Sequence, residues 1–340
     1  MRRVAISLVW AGVTGMLGSL GAAAVQVTPP LQVCLAAAAD GSAIYPLNAV
    51  PMKLREVSAV FHLASNERFG TLTGTWVAVD VGQAAPPNYT VQTTSLSNAK
   101  AMDHGTFRVT LPRDFPAGKY RLDVTGDGKP WRSVEFTMVA ASPPAASAAV
   151  LVPLPPKRVL TYDYRQEAGS GGRITDVPKG GTVGADGKLH AVVTATVAGA
   201  DAGGAHVEWR RGDNLFSEEW WRIDASGASV TRRIVNGETT LLNPAQSILQ
   251  WPIDKAVAWD YASADGKVRQ HYRAWGPVPV LGPNGPAPGY VVLLEQPWPR
   301  LSVTAERHFL PSVGLVRQVI VTALDGRMVG REEMALTGVR

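Results

Sequence analysis

The chain has 340 residues, with 33 lysines and arginines against 28 aspartates and glutamates, for a formal net charge of +5. That length suggests two domains, and an apolar share of 46% is ample for packed cores and excludes a wholly disordered chain. A single cysteine excludes an intrachain disulfide framework and a cysteine-based zinc site.

Residues 1–24 read as a secretory signal peptide. Arg2 and Arg3 form the positive start, Val4 to Leu20 carries no charge, and Gly21-Ala22-Ala23-Ala24 offers the small side chains a signal peptidase reads. A retained anchor is the rival reading, but the stretch is barely long enough to span a bilayer, four glycines dilute it, and no charged stop follows. Cys34 follows Leu31-Gln32-Val33, which lacks the small residue that lipidation needs. It reads as a small hydrophobe buried in the first strand. Loss of Arg2 and Arg3 would leave a net charge of +3 on scattered basic residues, without the clustered stripe of a nucleic-acid surface. No later segment is apolar and long enough to span a membrane as a helix. The mature chain is therefore expected in a bacterial periplasm, or secreted.

Residues 25–140 are expected to form an all-β module. Trp76–Val81 and Phe107–Leu111 alternate apolar with small or polar residues, the period of a half-buried strand. Tyr120–Val124 and Val134–Met138 do the same on either side of Asp127-Gly128, which predicts a hairpin. That hairpin resembles the last one of immunoglobulin-like or fibronectin-III-like sandwiches, a resemblance that implies fold and not function. Residues 141–158 carry Pro143, Pro144, Pro153, Pro155 and Pro156 and read as a stiff interdomain linker.

Residues 159–340 hold seven of the ten tryptophans. Asp186-Gly187, Asn236-Gly237, Asp265-Gly266 and Asp325-Gly326 separate short apolar or alternating runs, as hairpin turns do. So many short strands predict an antiparallel meander that curls into a barrel or a strongly bent sheet to protect its edges. One short helix is predicted from Asn243 as N-cap, with Pro244 in the first turn and Pro252 as its stop. Val278–Gly289, rich in proline and glycine, reads as a loop.

Two stretches of this half resemble a group of exported bacterial β domains of unknown function. One is Leu242-Asn243-Pro244 with Ile248–Ile253 and Trp259-Asp260-Tyr261, and the other is Arg307–Gln318 followed by Asp325-Gly326-Arg327. The resemblance implies an extracytoplasmic β domain and no particular chemistry.

The chain offers no Gly-x-Ser-x-Gly elbow for a serine hydrolase. His190, His206, His271 and His308 lie on or beside predicted strands, where a metal site is possible, but lone strand histidines are more often surface or hydrogen-bonded core residues. No metal or other cofactor is expected. Glu218 and Glu219 are adjacent on a strand, so they face opposite ways and cannot pair with each other as a glycosidase's carboxylates; either would need Asp163, Glu208 or Glu295 from another strand. Each is expected on a solvated face among Arg210, Arg211, Arg222, Arg232 and Arg233, with an acid/base role as the alternative. Trp220 and Trp221 diverge for the same reason, which leaves one indole to be covered by a ligand or by the loop Trp275–Gly289. Trp209, Trp220, Trp221, Trp259 and Trp275 are the candidate ligand-binding residues.

These observations point to an all-β, non-enzymatic protein that binds an envelope component, either an apolar or amphipathic ligand or a protein partner. The runner-up is a hydrolase of envelope polysaccharide using Glu218 or Glu219. A third reading is an assembly factor that docks through the sandwich's edge strands.

Overall fold

A computed structural model of the chain describes residues 30–38, 41–46, 49–51, 54–139, 147–169, 172–175, 177–253 and 257–340. The signal-peptide reading of residues 1–24 and the start of the proline-rich segment lie outside these residues. Among the described residues, no helix is long and apolar enough to cross a membrane.

The fold is all-β. Its first strands are β1 (Leu31–Ala37), β2 (Ala43–Pro46), β3 (Ala49–Pro51), β4 (Glu56–His62) and β5 (Thr71–Asp80). Then come β6 (Tyr89–Ser97), β7 (His104–Thr110), β8 (Gly118–Gly126) and β9 (Lys129–Val139). One sheet runs β2-β1-β4-β7 and a second runs β3-β9-β8-β5-β6. Every pairing is antiparallel except that of β3 with β9. The alternation read in β8 and β9 places Tyr120, Leu122, Val124, Phe136 and Met138 in the core. Tyr120 stacks on Phe136 at 5.3 Å and donates its hydroxyl to the Pro116 carbonyl at 2.8 Å. Cys34 is fully buried in β1, and burial pushes its thiol up to about 12, so it carries no thiolate chemistry at neutral pH.

The proline-rich segment contains a helix, α1 (Ala148–Leu151), and a long meander follows the segment. It opens with β10 (Val159–Ala168), β11 (Gly181–Val183), β12 (Leu189–Asp201), β13 (Gly204–Arg211) and β14 (Asn214–Asp224). It continues through β15 (Gly227–Val235), β16 (Glu238–Gln250), β17 (Val257–Ala262) and β18 (Arg269–Gly282). The last strands are β19 (Gly285–Pro297), β20 (Leu301–Leu310), β21 (Gly314–Leu324) and β22 (Arg327–Val339). Because β10 pairs with both β12 and β22, the sheet curls into a nearly closed barrel whose seam lies between β16 and β17. Side chains stitch that seam: Trp259 donates its indole N–H to the Ser247 carbonyl at 3.1 Å. From inside, the Gln246 amide reaches Gln270 at 2.7 Å and the Tyr272 hydroxyl at 3.0 Å.

Turn chemistry sets the register. Asp127-Gly128, Asn236-Gly237 and Asp325-Gly326 place both residues at positive φ, the backbone of a two-residue hairpin turn that matches strand twist. At Asp186-Gly187 and Asp265-Gly266 only the glycine does so, and the aspartate side chain accepts from the amide two residues on.

Two expected elements are different. Residues 243–252 are not a helix: residues 243–250 belong to strand β16, and the short helix is α1, inside the segment read as a linker. Pro244 is tolerated because β16 flanks the seam and its pairing with β15 breaks between Leu241 and Gln246, so no ladder bond is lost there. Val278–Gly289 is not a loop but the tip of the β18–β19 hairpin, with Pro279 opposite Pro288. Pairing of β17 with β18 stops at Ala274, and β20 joins β19 from Tyr290 on. The tip is thus a two-stranded ribbon whose outer edges ask for no donors from its prolines.

The two halves share a core. Val278, Val280, Val291 and Leu293 of the barrel's outer wall belong to one buried cluster with Phe61, Phe107 and Trp76 of the first sheets. Polar contacts frame it: Tyr45 donates to the Pro279 carbonyl, its ring meets His308 edge-on at 5.7 Å, and Arg273 reaches Glu56 at 3.7 Å.

Candidate functional site

Strand alternation decides what the barrel encloses. On β13, Val207 and Trp209 point inward while His206 and Glu208 point out, and on β14 Glu219 and Trp221 face in while Glu218 and Trp220 face out. Gly204 opens β13 at φ +123°, a conformation that favours glycine, and its Cα lies so close to the Trp221 carbonyl that a Cβ would not fit. This close approach fixes the strand that carries the inward indole.

The inward residues line a pocket that opens to solvent, its empty space about 730 Å³ with the adjoining solvent included. Its walls are apolar, with Leu160, Val197, Ile248, Phe309 and Leu315 beside the two indoles. Val152, Pro153 and Leu154, which follow α1, form one rim. Leu151 itself is fully buried, and the Ser312 amide donates to the Val150 carbonyl at 2.6 Å, so the end of the proline-rich segment is seated in the barrel as a stopper.

Charge enters this apolar chamber on four side chains, Arg158, Glu219, Arg233 and Arg307. Glu219 sits at the centre of a buried network. Its Oε1 pairs with Arg233 at 2.7 Å, and its Oε2 accepts from the indoles of Trp209 at 3.2 Å and Trp221 at 3.1 Å. Arg233 also donates to Gln246 at 3.2 Å, which links the pair to the Gln246–Gln270–Gln296 chain across the interior. Glu219 is therefore not on a solvated face. A carboxylate that must pair with a buried guanidinium and two indoles is held inside by them, which composition alone does not reveal.

The candidate tryptophans separate into several places. Trp209 and Trp221 line the pocket. Trp220 lies on the outer face, stacked against His206 at 4.3 Å with the Arg232 guanidinium 3.4 Å over its other side and its N–H on Asp201 at 2.9 Å. Its cross-strand neighbours, not the 275–289 segment, cover it. Trp259 stacks on Tyr272 at the seam, and Trp275 belongs to the core shared with the first sheets, beside Arg273.

The four barrel histidines do not converge. Each pairs with a carboxylate: His190 with Asp186, His206 with Glu218, His271 with Asp260 and His308 with Glu306. Among the described residues, only His206, Glu208 and Glu218 bring three ligand-type atoms within 4.8 Å of one another. His206-Val207-Glu208 is the sequence signal for that group. Its acids already have partners, Glu218 the His206 ring at 2.7 Å and Glu208 the Arg210 guanidinium at 2.9 Å. The pocket lining contains one carboxylate, Glu219, so no second acid stands across from it there.

Arg307 is the residue that reading the sequence misses. It shares strand parity with Val303, Ala305 and Phe309, and that inward apolar row is the signal that places its guanidinium inside. Burial lowers the guanidinium from its ordinary value, opposed by Tyr272 and Glu219, and arginine remains charged.

Adjacent acids on β22 show the same alternation. Burial raises Glu332 above the usual carboxylate range, partly offset by its bond to Tyr164 and by Arg211. Glu333 is also pushed up by partial burial, but Arg317 and Arg331 outweigh this and hold it low. A carboxyl with a raised folded pKa contributes stability that is present below its unfolded value near 4.5 and is lost as pH rises through the folded value. Glu332→Gln is accordingly expected to gain stability relative to the parent at pH 7 compared with pH 4, read from urea midpoints. An equal difference at both pH values would overturn the assignment.

No family model matches the chain, and a search of curated proteins finds no relative. Among solved structures, one similar protein is described as an exported protein with a YMCC-like fold from Bacteroides fragilis, at 13% identity and a TM-score of 0.25 over 56% of this chain and 99% of that one. Another is described as a lipoprotein from Parabacteroides distasonis, at 12% identity and a TM-score of 0.28 over 56% of this chain and 97% of that one.

Proposed function

We propose that this chain is a non-enzymatic, exported bacterial protein whose barrel holds an apolar or amphipathic component of the cell envelope. The carrying observation is the apolar pocket inside the barrel, lined by Trp209 and Trp221 and rimmed by residues 152–154. A concave, mostly apolar site with a few fixed polar groups is what small-molecule recognition requires. Export rests on the character of residues 1–24.

Residues 25–140 are read as an immunoglobulin-like or fibronectin-III-like sandwich, joined by residues 141–158 to the barrel of 159–340, and serving as its spacer or docking module. The strand orders, the parallel β3–β9 pair and the Tyr120 hydroxyl bonded back to Pro116 support that reading, since such a tyrosine corner is a habit of these sandwiches.

The full chain titrated with N-phenylnaphthylamine, a neutral apolar fluorophore, is expected to enhance the probe's emission and shift its own tryptophan fluorescence. Trp221→Phe is expected to lose most of the tryptophan shift while the probe still binds. Absence of probe enhancement by the folded chain would overturn the pocket reading, and co-purification of a stable protein partner in its place would favour the docking role.

A further inference from the structure

Resting on the pocket reading above, we infer that the pocket is built for a single-chain amphiphile with an anionic head, the head held at Arg307 and the chain lying along the apolar wall. Three of the four charged lining residues are arginines and one is a glutamate, so the chamber carries an excess of two positive charges. That excess already counts Glu219, whose oxygens are held by Arg233 and by two indoles. Arg158 at the rim spends one guanidinium nitrogen on the carbonyls of Ser312 at 3.0 Å and Val313 at 2.9 Å.

Arg158, partly exposed, also has an Nε without a partner, and Arg307 lies deeper. Only 6% of it is exposed, its Nε donates to Gln318 at 2.8 Å, and its Nη1 has no hydrogen-bond partner among the described residues. A buried charged donor without an acceptor is costly, and the group that best relieves the cost is an anion whose oxygens match the guanidinium fork. The neighbouring surface is aliphatic and aromatic, supplied by Leu160, Val197, Val207, Ile248, Phe309 and Leu315, so whatever carries the anion must also be apolar over most of its length. A carboxylate and a phosphate monoester share this chemistry.

The test titrates the full chain with dodecanoate, dodecyl phosphate and dodecanol, read by displacement of N-phenylnaphthylamine. At least one of the two anions is expected to bind about tenfold or more tighter than the alcohol, the worth of one hydrogen bond to a charged group. Arg307→Met is expected to bring all three within about threefold of one another while leaving the alcohol's affinity in place. Should that variant fail to fold, the ranking on the parent chain decides alone. Equal binding of all three by the parent overturns the anionic head but leaves the apolar pocket standing. Binding of none overturns both. A preference that survives in a folded Arg307→Met variant also overturns the assignment to Arg307.

Discussion

Glu219→Ala is expected to cost about 3–5 kcal/mol of folding stability, the penalty for removing one partner of a buried ion pair. The carboxylate and its partner Arg233 are both nearly fully buried, with side-chain exposures of 5% and 10%. Alanine would strand the guanidinium together with the N–H groups of Trp209 and Trp221, and would leave Arg307 without its one nearby anion. Glu219→Gln keeps an acceptor for the indoles and is expected to lose less. The double variant Glu219→Leu with Arg233→Met removes both charges and is expected to recover most of the loss, since buried pairs exchange for apolar groups at little net cost. Chemical denaturation of the four chains checks this. A Glu219→Ala loss below about 1 kcal/mol would place the pair among exposed ones, whose worth is of that order.

Leu151→Ala is expected to destabilise by about 2–5 kcal/mol, the range for truncating a buried leucine. A four-residue helix in a proline-rich connector would tolerate that change with almost no effect if the segment were a solvated tether. Leu151 is instead fully buried in a cluster with Ala228, Leu249, Phe309 and Ile320, so truncation leaves a cavity under the stopper. The thermal midpoint in a scan of variant and parent checks it. A shift no larger than that of Pro155→Ala, at an exposed position four residues past the helix, would show that the stopper contributes no packing.

Much of the architecture is legible in the chain because its rules are local. Period-2 patterning marks β5, β7, β8, β9 and most barrel strands, and paired Asx-Gly turns mark their connections. The misreadings have a common cause. Asn243, Pro244 and Pro252 look like helix punctuation, and Val278–Gly289 looks like a loop, until one knows which strand edges go unpaired. Edge status is a property of topology, invisible in a window of ten residues. The site divides similarly. That Trp220 and Trp221 diverge follows from alternation alone, but which one faces inward depends on how the sheet curls. Glu219 and Arg307 carry the charge of surface residues. Their burial is dictated by partners on other strands, Arg233 for the first and Gln318 for the second.

Sharing of hydrophobic residues between the sandwich and the barrel's outer wall has a practical outcome for anyone cutting the gene. A fragment beginning at β10 would expose Val291 and Leu293, fully covered in the intact chain, as an aliphatic strip on a surface of considerable extent. Such a fragment invites precipitation even though its hydrogen-bonded sheet is complete on paper. The prolines mark a natural place to break the polypeptide, yet among the described residues one buried cluster joins the two sides.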